Sequence, residues 1–236
     1  MELSAQLRSP FEDRDGQIAI DLPGARAVFT TRSWGDVRET ETAIAERLGV
    51  ALVRPQQVHG ADVIAVTTAA VTTGAVTTGA AQTQTEADAI ITAARGVAAA
   101  VITADCLPIV IASPSGVAAV HAGWRGLDAG VIANAVARLR ELGGGVMHAA
   151  IGPGAGVCCY EVGEDLHRRF NAHCQDFHSG RKLDLKAIAR VQLMEAGVAR
   201  IHDSEICTIC ADPELTFSHR REGTGTGRQA AIAWLS

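Results

Sequence analysis

The sequence predicts an α+β fold, a single-domain α/β sandwich of mixed sheets flanked by helices. Three observations lead there. The 236 residues carry no proline-rich or charged linker, so 1–236 reads as one domain, within reach of the roughly 150 residues typical of a domain. Short apolar runs bounded by Gly, Pro, Ser and Asp outnumber helical patterns and do not alternate regularly with them, which disfavours a doubly wound parallel sheet. The chain has 42 Ala and 24 Gly against nine aromatic residues, so its core must be packed from small aliphatic side chains.

Taken in order, residues 1–25 are polar, contain Pro10, Gly16, Pro23 and Gly24, and read as a hairpin or an extended lead-in. AVFTT at 27–31 reads as a strand ended by Arg32. The spacing of Ala43, Ile44, Ala45 and Leu48 predicts a helix over 38–48, with Gly49 as its left-handed stop. Strands are expected at 53–58 and 62–67, on either side of His59-Gly60. The tandem VTTAA-VTTGA-VTTGA at 66–80 has too short a period for a stacking repeat, so 66–86 is expected to be an exposed Thr/Gly/Ala-rich loop or extended ribbon.

DAIIT, GVAAAVIT, LPIVIA and GVAAVH, between 87 and 121, read as four strands buried on both faces. Leu127, Val131, Ile132, Val136 and Leu139 predict a helix over 126–142, stopped by three glycines. A strand at 146–151 runs into GPGAG. Helices are expected at 162–173 and 185–196, and strands near 199–202, 215–218 and 229–234.

Composition also excludes partners. The net charge is −5 with no block of Lys or Arg, which leaves no electrostatic grip on nucleic acid. The longest apolar stretches, 97–104 and 107–112, fall short of the roughly 18 residues of a membrane span. The N-terminus has neither a basic start nor an apolar core, so no secretory signal is expected and the protein is expected to be cytoplasmic. The six cysteines are too sparse for a disulfide scaffold. Cys207-x-x-Cys210 offers a redox pair or, with Cys158 and Cys159, half of a structural zinc site. The vicinal pair lacks the spacing of a zinc knuckle, so buried thiols are the expectation there.

Three residues share one property: each is predicted at a strand end, where a scaffold aims side chains into a cleft. They are His59, Cys106 in TADCLP, and His121 before AGWRG. Two imidazoles and a thiolate match a catalytic zinc set with one open position. A small core cysteine and two hydrogen-bonded histidines match the residues equally well.

QQVHGADV (56–63), ADAIIT (87–92), TADCLPIVI (103–111), HAGWRG (121–126), YEVG (160–163), LDL (183–185), CT (207–208), FSHRR (217–221) and TGR (226–228) occur in the order found in the YfiH family. The chain therefore resembles that laccase-domain or polyphenol-oxidase family, whose members include purine nucleoside phosphorylases and peptidoglycan editing factors. The resemblance implies a zinc site at His59, Cys106 and His121, a mixed-sheet α/β sandwich, and phosphorolysis of adenosine, inosine, guanosine and 5′-methylthioadenosine with some adenosine deamination. Two departures from the family pattern, SWGDV at 33–37 and GPGA at 152–155, bear on substrate preference and leave the metal set intact.

Such an activity takes a purine nucleoside and phosphate as partners, and assembly of several copies is compatible with it. Arg32, Arg125 and Arg220 are the expected anion-binding residues, because a guanidinium holds phosphate as a bidentate fork. Arg125 has the best local argument, since a helix starting beside it would add its dipole. Gln57 is expected to meet a purine edge and Tyr160 to line the pocket. Asp105 is expected to anchor a histidine or to cap a turn. Copper is less favoured than zinc: Met1, Met147 and Met194 all lie outside the motifs, leaving no axial ligand for a blue-copper centre. A different enzyme class remains open, a Cys/His hydrolase with Cys106 as nucleophile acting on an amide such as a peptidoglycan precursor.

Overall fold

A computed structural model describes residues 3–67, 80–171, 178–179 and 181–236. The apolar runs become strands of two mixed sheets. One sheet holds β1 (Glu12–Arg14), β2 (Gln17–Leu22), β3 (Ala25–Phe29), β4 (Ala51–Gln56), β6 (Ala80–Glu86), β8 (Val97–Thr103) and β15 (Gln229–Leu235), in the order β1-β2-β3-β15-β8-β4-β6. The other holds β5 (Val63–Val66), β7 (Ala89–Thr92), β9 (Leu107–Ser113), β10 (Gly116–Ala122), β11 (His148–Ile151) and β14 (Arg200–Asp203), in the order β14-β11-β9-β10-β7-β5. A two-stranded ribbon pairs β12 (His178–Ser179) with β13 (Lys182–Leu183). The described helices are α1 (Val37–Leu48), α2 (Trp124–Asp128), α3 (Val131–Glu141), α4 (Glu164–Asn171), α5 (Leu185–Glu195) and α6 (His219–Glu222).

Strand alternation sorts the small side chains into three apolar layers. On β8, Ala98 and Ala100 face α1, where they meet Val37, Ile44 and Ala45. Ala99 and Val101 point the other way, into the layer between the sheets, which also contains Phe29, Val110 and Ala119. The outer face of the second sheet, with Ile109, Ile111 and Val120, packs on Val131, Val136 and Leu139 of α3 and Ile188 of α5. The result is the expected sandwich of mixed sheets with helices on both outer faces. Alanine is common because strands buried on both sides leave little room for larger groups. No helix among the described residues is long and apolar enough to cross a membrane.

Helix ends follow their sequence signals. Asp36 caps α1 by accepting from the Arg38 N–H, and Gly49 closes it at φ 68°. Several expectations are corrected. The polar lead-in is a hairpin, but its second strand, QIAIDL, is almost wholly buried and joins the core sheet. Of the two readings for 66–86, residues 80–86 take the extended one, an edge strand parallel to β4; 68–79 of the tandem lie outside the described residues. The single helix expected over 126–142 is broken, because Gly130 adopts φ 83° between α2 and α3. Residues 215–218 form no strand: the Phe217 N–H bonds the Gln229 side chain, and Ser218 caps α6. The end of the helix expected at 162–173, and Cys174, fall outside the described residues.

Candidate metal centre

β4 and β8 run parallel, and β10 pairs antiparallel with β9 so that His121 lies opposite Pro108. This places the segment after β4, the β8–β9 turn and the last residues of β10 at one end of the sandwich. His59, Cys106 and His121 come from those three places, and their ligand atoms all lie within 4.8 Å of one another. The two imidazoles meet edge to face, with ring centroids 4.8 Å apart.

The residue that organises the group is Asp88, a fully buried carboxylate just before β7. It accepts the N–H groups of Val58, His59 and Gly60 at 3.1, 2.9 and 2.6 Å. These bonds hold His59 in the left-handed region at φ 63°, a conformation that a non-glycine residue keeps only when its surroundings fix it. The same carboxylate accepts from His121 Nδ1 at 2.7 Å, which leaves Nε2 for the centre. A carboxylate behind a histidine in this way sets its tautomer and raises its basicity as a ligand. Burial opposes ionisation of Asp88, but the hydrogen bonds from His121, Gly60 and Val58 hold it below the usual carboxylate range.

Cys106 follows Asp105, which sits at φ 90°. Asp105 is not a histidine anchor; it accepts from Thr208 Oγ1 and from the Arg220 N–H, each at 2.6 Å, and so fixes the turn. Burial pushes the Cys106 thiol up, but the charge of His121 and hydrogen bonds with both histidines outweigh it and bring the thiol to about 6. Burial likewise pushes His121 down, and the Cys106 thiolate with Asp88 lifts it to about 9. Two imidazoles and an ionised thiol, oriented by a buried carboxylate, are the donor set that a borderline-soft divalent metal requires.

Gly123 makes room for this set, since a Cβ there would stand 2.9 Å from Cys106 Sγ and 3.5 Å from His59 Cδ2. Gly123→Ala is expected to push the thiolate off position and weaken metal binding at least tenfold with the fold intact. Titration against a chromophoric chelator, alongside circular dichroism, checks it; unchanged affinity removes the steric argument.

The other expected residues divide. Tyr160 is partly buried and is raised by burial and by the charges of Cys106 and Asp105, while Arg220 and Arg125 act in the opposite direction. Arg220 stacks on its ring at 5.0 Å, so Tyr160 and Arg220 are neighbours, and Tyr160 lies within electrostatic reach of Cys106 and Arg125. Arg125 is exposed over Trp124, but its helix α2 has only five residues, which removes the dipole argument. Arg32 is instead paired with Glu222 at 2.5 Å and stacked on Phe217.

Gln57 lies beyond the end of β4, and its amide exchanges two 2.8 Å bonds with the Ile102 backbone, so it joins chain segments and presents no same-face edge to a base. Two residues escaped the sequence reading. Asp88 carried a signal, a single acid opening an apolar strand. Arg228, which feels the charges of Cys106 and Asp105, had only its place in TGR. Among the methionines, Met147 is buried in the apolar layer against α3 and α5, Met194 is exposed on α5, and Met1 lies outside the described residues.

Comparison with known proteins places the chain in a family and matches its fold. Residues 31–236 match the family model described as multi-copper polyphenol oxidoreductase laccase. The chain belongs to this family. A relative from Xylella fastidiosa, named purine nucleoside phosphorylase, is 37% identical over 214 residues, covering 84% of this chain and 78% of that one. Purine nucleoside phosphorylase YfiH of Escherichia coli is 35% identical, covering 76% of this chain and 72% of its own. The crystal structure of the Bacillus licheniformis hypothetical protein YfiH superposes with a TM-score of 0.83 at 27% identity, over 97% of this chain and all of that one.

Proposed function

We propose that this laccase-family protein is a zinc-dependent purine nucleoside phosphorylase with adenosine deamination as a side activity. The observation that carries the proposal is the convergence of His59, Cys106 and His121 within 4.8 Å; Tyr160, which feels the charges of Cys106, Arg220 and Arg125, supports it. The names of the curated relatives support the reaction class. His59, Cys106 and His121 would hold the ion, which when bound would supply a Lewis acid.

The chain's own groups do the rest. Arg125 and Arg220 hold inorganic phosphate, and Tyr160 flanks the nucleoside. A phosphate oxygen forms a bond to C1′ as the bond from C1′ to the purine nitrogen breaks. The electron pair leaves with the base, which takes up one proton, and ribose 1-phosphate remains. Asp88 keeps His121 oriented throughout and touches neither reactant.

Incubating the metal-loaded protein with adenosine, with and without phosphate, tests the proposal. Adenine and ribose 1-phosphate, formed only with phosphate, are expected, together with a smaller amount of inosine. Neither product overturns the nucleoside reading. One observation favours a second reading: the Cys106 thiol near 6 beside His121 near 9 is also the ion pair of a cysteine hydrolase. Such an enzyme stays active after chelation and dies on alkylation. The phosphorylase loses activity on chelation, and bound zinc shields Cys106 from iodoacetamide. In the metal-free protein the alkylation rate should climb as pH rises through about 6, where the thiolate forms.

A further inference from the structure

Away from this centre, four more sulfurs meet. Cys158 and Cys159 lie in the turn after GPGAG, and Cys207 and Cys210 lie in the loop after β14. All four Sγ atoms are within 4.8 Å of one another, and those of Cys158 and Cys210 are 3.6 Å apart. A tetrahedral four-thiolate ion with metal–sulfur bonds of about 2.3 Å has sulfur–sulfur edges of roughly 3.8 Å. The cluster brackets that edge.

The vicinal spacing that argues against a zinc knuckle in the sequence is overcome by the fold, because each loop supplies a pair and backbone bonds lock the loops together. Gly154 and Cys207 form a parallel bridge. The Thr208 N–H bonds Gly154 O at 3.0 Å, and the Gly154 N–H bonds Ile206 O at 3.3 Å. At Gly156 a Cβ would stand 3.0 Å from Cys207 Cβ and 3.2 Å from Cys158 Sγ, so glycine keeps the space open. The Gly156 N–H donates to Cys207 Sγ at 3.2 Å, a contact that favours the thiolate.

We propose that Cys158, Cys159, Cys207 and Cys210 form a second, structural metal site, which takes zinc through four sulfurs and leaves no coordination position open. Burial raises the Cys207 thiol, yet the N–H groups of Gly156, Cys210 and Ile209 around its sulfur bring it below an ordinary thiol. Burial and the neighbouring sulfurs push Cys158 and Cys210 up. Thiols this crowded ionise together only when a cation neutralises them. Binding releases one proton from each sulfur still protonated, forms four metal–sulfur bonds and changes no oxidation state. The ion would tie down the turn that leads into Tyr160 and the loop whose Thr208 fixes Asp105, so it braces one wall of the first centre without entering its chemistry.

Zinc counting by native mass spectrometry on the full chain tests this. Cys106→Ala is expected to retain one zinc, and the Cys207→Ser, Cys210→Ser double variant to lose that zinc and melt at a lower temperature. Cobalt(II) loading of Cys106→Ala provides a readout that does not depend on the double variant folding. Sulfur-to-cobalt charge transfer with tetrahedral ligand-field bands is the expected spectrum. A metal-free Cys106→Ala chain lacking those cobalt bands, or a disulfide among these cysteines in protein purified under reducing conditions, overturns the site. The adenosine assay does not bear on any of these results.

Discussion

Replacing Cys106 by alanine is expected to cost the protein its metal at the His59–His121 centre and to lower adenosine phosphorolysis by roughly 10³-fold, the scale seen when a preorganised electrostatic group is removed from an active site. Cys106 is the only anionic ligand of the three and the one whose ionisation the site has tuned, down to about 6. Without it, two neutral imidazoles face a divalent ion, a much weaker set. Stability should change little, because the His121–Asp88 contact and the Asp88 bonds to 58–60 remain. Metal analysis, phosphorolysis rate and melting temperature, measured on one preparation, separate these effects. Full activity with full metal content in Cys106→Ala would mean that the centre does something else.

Asp88→Ala is expected to produce the largest stability change of any single substitution near the site. The buried side chain satisfies three part-buried backbone N–H groups and one buried imidazole. Removing one partner of a buried charged pair costs about 3–5 kcal/mol, and in a chain of this size each kcal/mol lowers Tm by roughly 2–4 °C. His59 would also lose the bonds that keep it at φ 63°, so metal affinity should fall by about 10–100-fold, as expected for a lost orienting partner. Urea denaturation with parallel metal titration checks both effects. A variant with wild-type stability and affinity would show that Asp88 is not the organiser of the turn.

How far the centre was legible in the sequence depends on the range of the signals involved. Strands such as GVAAAVIT and helices such as α1, with Asp36 before it and Gly49 after it, are written in local periodicity and turn chemistry. The positions of His59, Cys106 and His121 at strand ends are local facts too, and motif order added the ligand set. Gln57 and Asp105 show where that reasoning stops. Both are polar residues beside a ligand, and both bond groups far along the chain, Ile102 in one case and Thr208 with Arg220 in the other. Arg32 likewise finds Glu222, 190 positions away.

The sequence by itself determined most of the strands and helices, that the core is made of small side chains, and that His59, Cys106 and His121 stand at strand ends; the resemblance to a family marked them as a ligand set. The elements and the strand-end positions follow from neighbours a few positions apart, the ligand set from the order of motifs along the chain. The tertiary structure alone decided that Asp88 reaches both histidines, that Arg32 is paired with Glu222, and that a vicinal pair and a C-x-x-C close into one four-sulfur cluster. Those outcomes depend on how the two sheets stack and which loops they bring to the same end, and no pattern within a short stretch of chain encodes that register.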